Sequence, residues 1–316
     1  MFEVNLVMIV IVSAVTIWNK VVYYKEFQQL YYQQIDIVKE LTGEIYLRPP
    51  RIANVFCWIT YFIGVVLCVF DMRRFSTNHI AWYLHAMIIW ERYIMVTAHL
   101  QFAVIVVRLT ESYRILNNCM VISNNTMSIE YPFDVLNVKP LNTVFTIILD
   151  RTRLLALIKH WSDIHWSITQ VVFKVNELFK FQLFLYFIYN LFGLILTPYL
   201  LSLTLLSEDQ ESIGFHVAQR TVALIYFLVR MVLLIIPCSL MKDEVIKTKI
   251  LLSNFLNVEM DMAEIIKIET YVEQMEANIP EFKVYNLFVL DRPLVVTIAG
   301  VVSTYLVILL QIQSQF

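Results

Sequence analysis

The sequence predicts an all-helical, polytopic membrane bundle with helical extensions on its cytoplasmic side. Hydrophobic residues make up 59% of the chain and charged residues 16%, against about 45 to 50% apolar and 25% charged in soluble domains. The mean hydropathy is +0.66. The apolar residues gather in six stretches, each near the length of about 20 residues that crosses a hydrocarbon core of roughly 30 Å. With 5 Gly and 8 Pro in 316 residues, no composition break marks a linker. Residues 1–316 therefore read as one embedded unit rather than the two soluble domains that length alone suggests.

The first span covers 4–24 and is the weakest, because its uninterrupted apolar part ends near Trp18. Glu3 stands where a cleaved signal peptide carries cations, and Lys20 and Lys25 come at the far end of the apolar run. That polarity is the one expected of an uncleaved anchor with its N-terminus outside. A second span covers 52–70 and a third 79–107. In the connection that follows, Leu154, Leu157, Ile158, Trp161, Ile164, Ile168, Val171, Val172, Val175 and Leu178 recur at spacings of three and four. This is the signature of an amphipathic helix feeding into the fourth span, 179–206. The fifth span covers 214–241. Ile265, Ile268, Val272 and Met275 then repeat the amphipathic pattern before the last span, 294–312. The helical regions outside the spans are 25–51, 108–178 and 242–283. They either pack together as a collar or lie on the lipid surface. Glu259, Asp261, Glu264, Glu269, Glu273 and Glu276 favour the collar, because an anionic leaflet repels them.

Orientation follows from the cations, since loops rich in Lys and Arg stay cytoplasmic. The first, third and fifth connections, with the span ends that adjoin them, hold most of the 24 Lys and Arg residues, whereas the turn between the fourth and fifth spans is acidic, Ser207-Glu208-Asp209-Gln210-Glu211. Both termini are expected outside the cell. The sequon Asn124-Asn125-Thr126 falls on the cytoplasmic side and is expected to carry no glycan.

The formal charge of −2 and the lack of a basic block exclude nucleic acid as a partner. Cys57, Cys68, Cys119 and Cys238 show none of the metal or redox spacings. His85, His99, His160, His165 and His216 are too scattered for an adjacent ligand motif. No catalytic constellation, metal site or cofactor is expected, and the chain does not read as an enzyme.

Two helical stripes stand out. In the last span Thr297, Gly300, Thr304, Val307, Gln311 and Ser314 fall on one face, while Leu294, Val295, Val301, Val302, Leu306 and Leu309 cover others. Small and hydrogen-bonding residues in register mean close helix packing or the wall of a water-filled path. Gln311 favours the path, because an amide has little reason to sit in lipid. In the third span Trp82, His85, Ile89, Arg92, Val96 and His99 share a face. Intramembrane ionisable residues face a cavity or a partner, so Glu91 and Arg92 are read as an interhelical pair or a ligand contact, with Arg230 as another partner for Glu91. Trp58, Tyr61, Tyr186, Tyr189, Asn190 and Tyr226 supply candidate pocket walls, or packing and interface belt.

Thr304-Tyr305, five apolar residues and Gln311 resemble the Thr-Tyr, five-hydrophobic, Gln-Phe signature that ends the insect gustatory receptors. Leu287-Phe288-Val289-Leu290-Asp291-Arg292-Pro293-Leu294 is similar to that family's lead-in, and Asn176, Phe179 and Gln182 to its approach to the fifth span. Ile312 stands where the family has Phe. The family has seven spans with a cytoplasmic N-terminus, so the first span is expected to be missing from this chain. The resemblance implies a multi-pass plasma-membrane receptor in chemosensory neurons, with an extracellular C-terminus and contact with membrane lipid. It implies a nonselective cation channel gated by a small-molecule tastant, built from four subunits of one or several gustatory receptors. Thr304, Tyr305 and Gln311 then belong to the signature helix, and Val307, Gln311 and Ile312 to the pore and its gate. Trp58, Tyr61, Trp82, His85, Arg92, Tyr186, Tyr189, Asn190 and Tyr226 are the pocket candidates.

Two rivals fit less well. Glu91-Arg92-Tyr93 is similar to the acidic-Arg-Tyr motif of G-protein-coupled receptors, but apolar residues continue beyond it, which puts the triplet near mid-membrane. A secondary transporter would show matching repeats with broken helices, and Pro198 and Pro237 are the mid-span breaks here, with no corresponding halves.

Overall fold

The computed structural model of the chain describes residues 2–42, 82–129, 151–206, 213–257 and 262–314, together with 55, 58, 59, 62–67 and 69. Its helices are α1 Phe2–Val22, α2 Tyr24–Thr42, α3 Trp82–Ile129, α4 Arg151–Leu206, α5 Ile213–Asn254, α6 Met262–Ala277 and α7 Arg292–Ser314. A hairpin of β1 Lys283–Val284 and β2 Phe288–Val289, paired antiparallel, separates α6 from α7. Stretches long and apolar enough to cross a membrane lie in α3, α4, α5 and α7, which carry the third to sixth predicted spans. In α1 the apolar stretch is the shorter Val10–Val22. About half of the second predicted span lies outside the described residues, as do the side chains of the sequon.

One boundary differs from the sequence reading: the third span runs on without a break to Ile129. The fourth, as the periodicity predicts, continues the amphipathic helix before it, in a single 56-residue helix that begins at Arg151. At 1.5 Å per residue α4 is about 84 Å long. Neither 82–129 nor 151–192 contains Gly or Pro, so once nucleated the helix meets nothing that stops it. At the other junction α1 and α2 are nearly one rod. The Tyr23 N–H still donates to the Asn19 carbonyl (3.0 Å) and the Phe27 N–H to the Tyr23 carbonyl (3.0 Å).

The core follows one stripe of α3. Met95, Ala98, Phe102, Val106, Leu109, Tyr113, Leu116 and Met120 recur at three- and four-residue spacing and all are buried. This face packs most extensively on α5; α4 lies against α5, and α1 and α2 close the other side. The amphipathic stripe of α4 is buried inside the chain, with Ile158, Ile168, Val172 and Val175 fully covered. Those residues are held by protein rather than lipid. Ile268 and Met275 anchor α6 in the same way.

Several polar groups in this extension are paired, although both ring nitrogens of the buried His165 lack a hydrogen-bond partner among the described residues. The Asn117 amide nitrogen donates to the Glu244 carbonyl (3.0 Å) and carboxylate (2.9 Å), and its oxygen accepts from the Thr248 hydroxyl (2.7 Å). The Tyr113 and Thr169 hydroxyls meet at 2.9 Å. Asn117→Ala removes three hydrogen bonds at once, while the Thr248 hydroxyl keeps the Glu244 carbonyl (3.0 Å) and the Glu244 carboxylate keeps Arg114 (3.2 Å), and is expected to cost about 2 kcal/mol. The readout is a lower thermal midpoint of the detergent-purified protein; an unchanged midpoint would mean that water replaces the amide.

The hairpin seats the start of α7. The Asn176 side chain accepts the Lys283 backbone N–H (3.0 Å), and Phe282, Val284 and Leu290 are buried. Tyr285 (φ 48°) and Asn286 (φ 56°) form the left-handed turn, closed by the Leu287 N–H on the Val284 carbonyl (2.9 Å). Asn tolerates that region, whereas a bulky Tyr needs support. The Tyr285 ring receives it edge-on from Phe184 (5.6 Å) and from the Lys180 ammonium, 6.0 Å from its centroid.

Candidate functional site

A cluster of buried polar side chains crosses the apolar part of the bundle. From α1, Thr16 donates to the Val12 carbonyl (2.8 Å) and its hydroxyl lies 2.9 Å from that of Tyr186. One turn on, the Asn19 amide donates to the Leu178 carbonyl (2.8 Å) and reaches the Gln182 side-chain oxygen (3.4 Å). Gln182 in turn donates to the Tyr186 hydroxyl (2.6 Å). The Tyr186 ring stacks on His99 at 3.9 Å between centroids, and the Asn190 amide donates to the Tyr186 carbonyl (2.7 Å).

Arg230 of α5 closes the cluster at 1% exposure. Its guanidinium carbon lies 5.2 Å from the Tyr189 ring centroid and 5.3 Å from that of Tyr226. A terminal nitrogen lies 3.3 Å from His99 Nδ1 and 3.5 Å from Nε2. His99 Nδ1 also sits 2.9 Å from the Met95 carbonyl, which only accepts, so Nδ1 carries the proton. Nε2 is then the acceptor for Arg230, and the shorter approach to Nδ1 is a contact between two donors. Among the described residues no carboxylate reaches the guanidinium, and its Nε has no partner. The Tyr226 hydroxyl and the Asn190 side-chain oxygen are unpartnered as well.

The structure thus brings together Tyr186, Tyr189, Asn190 and Tyr226 from the sequence-derived candidates. Trp58 is 76% exposed and covered by none of them. Tyr61 lies outside the described residues, as do the side chains of Trp82, His85, Glu91 and Arg92. Thr16, Asn19 and Gln182 were missed as cluster members. Their signal was present: Ser13, Thr16 and Asn19 recur every three residues in an otherwise apolar run, and all three are buried.

A groove of about 820 Å³ lies beside this cluster, between α1, α2 and α4 with Tyr285 at its rim. It shares only Asn19 with the cluster. Its lining mixes Trp18, Tyr23 and Phe181 with Glu26, Lys174 and Glu177.

The last helix is nearly bare. In α7 only Leu294 and Ile298 are buried, while Thr297, Gly300, Thr304, Val307, Gln311 and Ile312 are exposed, and so are Val295 and Tyr305. The Thr304 hydroxyl donates back to the Gly300 carbonyl (2.9 Å) and Ser303 to Ala299 (2.8 Å), so each keeps a lone pair facing outward. At its start α7 is tied to α5. Arg292 pairs with Asp243 (2.6 Å), and Lys242 with Glu281 (2.6 Å) and Asp291 (3.6 Å). Burial by itself would raise the Glu281 carboxyl, but the Lys242 and Lys283 ammoniums outweigh it and hold it below the ordinary carboxylate range. Pro293 falls in the first turn of α7, where its missing N–H forfeits no helical bond.

Solved structures share this architecture. The insect olfactory receptor OR5 from Machilis hrabei superimposes with a TM-score of 0.64 at 12% identity, over 98% of this chain and 80% of that one. The same receptor in complex with eugenol gives 0.65 at 11% identity, over 96% and 79%. At such identities the likeness speaks for the fold. No curated protein matches in sequence. The family described as 7tm chemosensory receptor matches residues 1–316. A match over every residue, on a multi-pass helical bundle that superimposes on an insect olfactory receptor, makes this chain a member of the 7tm chemosensory receptor family.

Proposed function

We propose that the chain is a receptor of the gustatory kind, rather than an enzyme, and works as a ligand-gated, nonselective cation channel in the plasma membrane. Four copies, alone or mixed with related receptors, surround a pore lined by α7, with the C-terminus outside. The observation that carries this reading is the exposure of α7. A 23-residue apolar helix of which the rest of the chain buries only Leu294 and Ile298 suits a subunit that contributes one wall to a shared pore. The amide of Gln311 and the hydroxyl of Thr304 suit water better than hydrocarbon. A ring of Val307 and Ile312 side chains then closes the path by dewetting. A small-molecule ligand is supported by the eugenol complex of the olfactory receptor with this fold.

The polar cluster is the proposed ligand site, and α5 connects it to the pore. Tyr226 and Arg230 stand in the cluster. Twelve residues on, about 18 Å along the helix, Lys242 and Asp243 of α5 hold Glu281, Asp291 and Arg292 at the foot of α7. A ligand that shifts α5 therefore shifts the start of α7 with it.

Gln311→Leu tests the pore. Losing one amide hydrogen bond per subunit, about 1 kcal/mol, changes cation occupancy by a factor of roughly five. The expected result is a lower single-channel conductance with altered cation selectivity in ligand-evoked currents from reconstituted protein. Unchanged conductance and selectivity, with cysteines at positions 304 and 311 inaccessible to water-soluble reagents in every state, would end this account.

A further inference from the structure

We propose that the ligand held at the cluster is a small carboxylic acid, its carboxylate seated on the open edge of the Arg230 guanidinium beside the Tyr226 hydroxyl. This rests on the reading of the cluster as the ligand site and names what that site selects.

An arginine stays ionised whatever surrounds it. A buried charge is therefore paired or strongly destabilising. Arg230 is 1% exposed, yet among the described residues its compensation is one neutral imidazole nitrogen and two aromatic faces. The Nε–H, the position from which a guanidinium makes a side-on bidentate bond to a carboxylate, has no partner. Tyr226 lies one helical turn before Arg230 and so shares its face of α5. Its hydroxyl, on a residue 3% exposed, is unpartnered too. Buried polar atoms are nearly always satisfied, and the orphaned Nε–H of a buried cation, with an orphaned tyrosine hydroxyl one helical turn away, describes a site that lacks an anionic acceptor among the described residues. The unpartnered oxygen of Asn190, at 0% exposure, asks for the opposite, a donor such as a hydroxyl carried by the same acid.

Among the described residues packing loosens beyond the cluster. Beyond Leu194, Thr197 is the only buried residue of α4, and before Tyr226, Gln219 is the only buried residue of α5. Ile63, Val222 and Ala223 still pack against the smaller core that Tyr226 shares with Leu67, so the core thins at the level of the cluster. From there to the far end of α5 is roughly 20 Å at 1.5 Å per residue, so Arg230 and Tyr226 form the floor of the loosely packed half of the bundle. The rings of Tyr186, Tyr189 and Phe227 beside them suit an acid with an aromatic or apolar body.

The test uses the full chain in nanodiscs, with phenyllactate and its neutral isostere phenyllactamide as probes and binding read by titration calorimetry. The acid is expected to bind at least roughly tenfold more tightly than the amide, one charge-assisted contact in excess of a neutral one. Arg230→Gln should abolish that preference, Arg230→Lys retain part of it, and Tyr226→Phe reduce it severalfold. Equal affinity of acid and amide for the unaltered chain, no binding of the acid, or a preference that survives Arg230→Gln would overturn the proposal. If Arg230→Gln does not fold, the unaltered chain and Tyr226→Phe decide it. Binding is measured without current, so a chain that binds the acid but passes no ions keeps this site and loses the channel. A chain that conducts in response to neutral ligands, with no acid preference, loses this inference alone.

Discussion

Phe282→Ala is expected to destabilise the protein by about 3 to 5 kcal/mol, the range for removing a buried aromatic ring. Phe282 is 1% exposed and meets the Phe102 ring edge-on at 5.3 Å. Phe102 meets Phe179 at 5.3 Å, and Phe179 meets Phe27 edge-on at 5.2 Å. Four rings thus run from α2 through α4 and α3 to the hairpin, and each contact adds about 0.5 to 1.5 kcal/mol beyond the area it buries. Truncating the last ring leaves a cavity in a region where Phe102 and Phe179 are too well packed to collapse into it. The consequence is also local, because the Phe282 carbonyl accepts the Leu290 N–H (2.9 Å) and holds the hairpin closed below α7. Hydrogen exchange should quicken over 283–290 well before it does at the α3 core positions, and the thermal midpoint should fall. A midpoint within a degree of the unaltered chain would show that the ring network does not bear on stability.

Much of this fold is legible in the sequence because helical periodicity reports which face of a segment is apolar. The buried stripe of α4 follows from three- and four-residue spacing, whereas the exposure of α7 extends beyond the predicted stripe to Val295, Val296, Tyr305 and Ile308. Periodicity does not report which helix lies opposite. The sequence offers Arg230 as one partner for Glu91, whose side chain lies outside the described residues; that Arg230 meets His99, Tyr189 and Tyr226 depends on how α5 packs against α3 and α4, which no spacing reports. The role of Asn176 shows the same limit. A short motif marks the residue, but its hydrogen bond is to the backbone of Lys283, more than a hundred residues later, and nothing local announces it. The end of the third span is misplaced for a different reason. Bilayer thickness sets the expected span length, while α3 runs on to Ile129, shortly before Pro132.

Gly193→Leu is the second large effect. A Cβ at Gly193 would lie 2.3 to 2.5 Å from Cε1, Cζ and Cδ1 of Phe227, closer than any carbon pair tolerates. Glycine inside a helix costs about 0.5 to 1 kcal/mol relative to alanine, and here the loss is offset by letting α4 and α5 approach until the Phe227 ring fills the space. The ring has no easy escape, being buried with Tyr189 at 5.7 Å and Tyr226 at 5.8 Å. Overpacking of this kind costs about 1 to 3 kcal/mol; Gly193→Ala should sit at the low end and Gly193→Leu at or above the top. Gly214, whose Cβ would meet nothing, is the control, and Gly214→Ala should leave the midpoint unchanged. Because Phe227 can move only by pressing on Tyr189 and Tyr226, the same substitution disturbs the two rings that flank Arg230. Ligand affinity should therefore fall together with stability. Adding Phe227→Ala to Gly193→Leu removes the obstruction and should recover most of the lost midpoint. Two losses that simply add would place the strain elsewhere and leave the close approach of α4 and α5 without its reason.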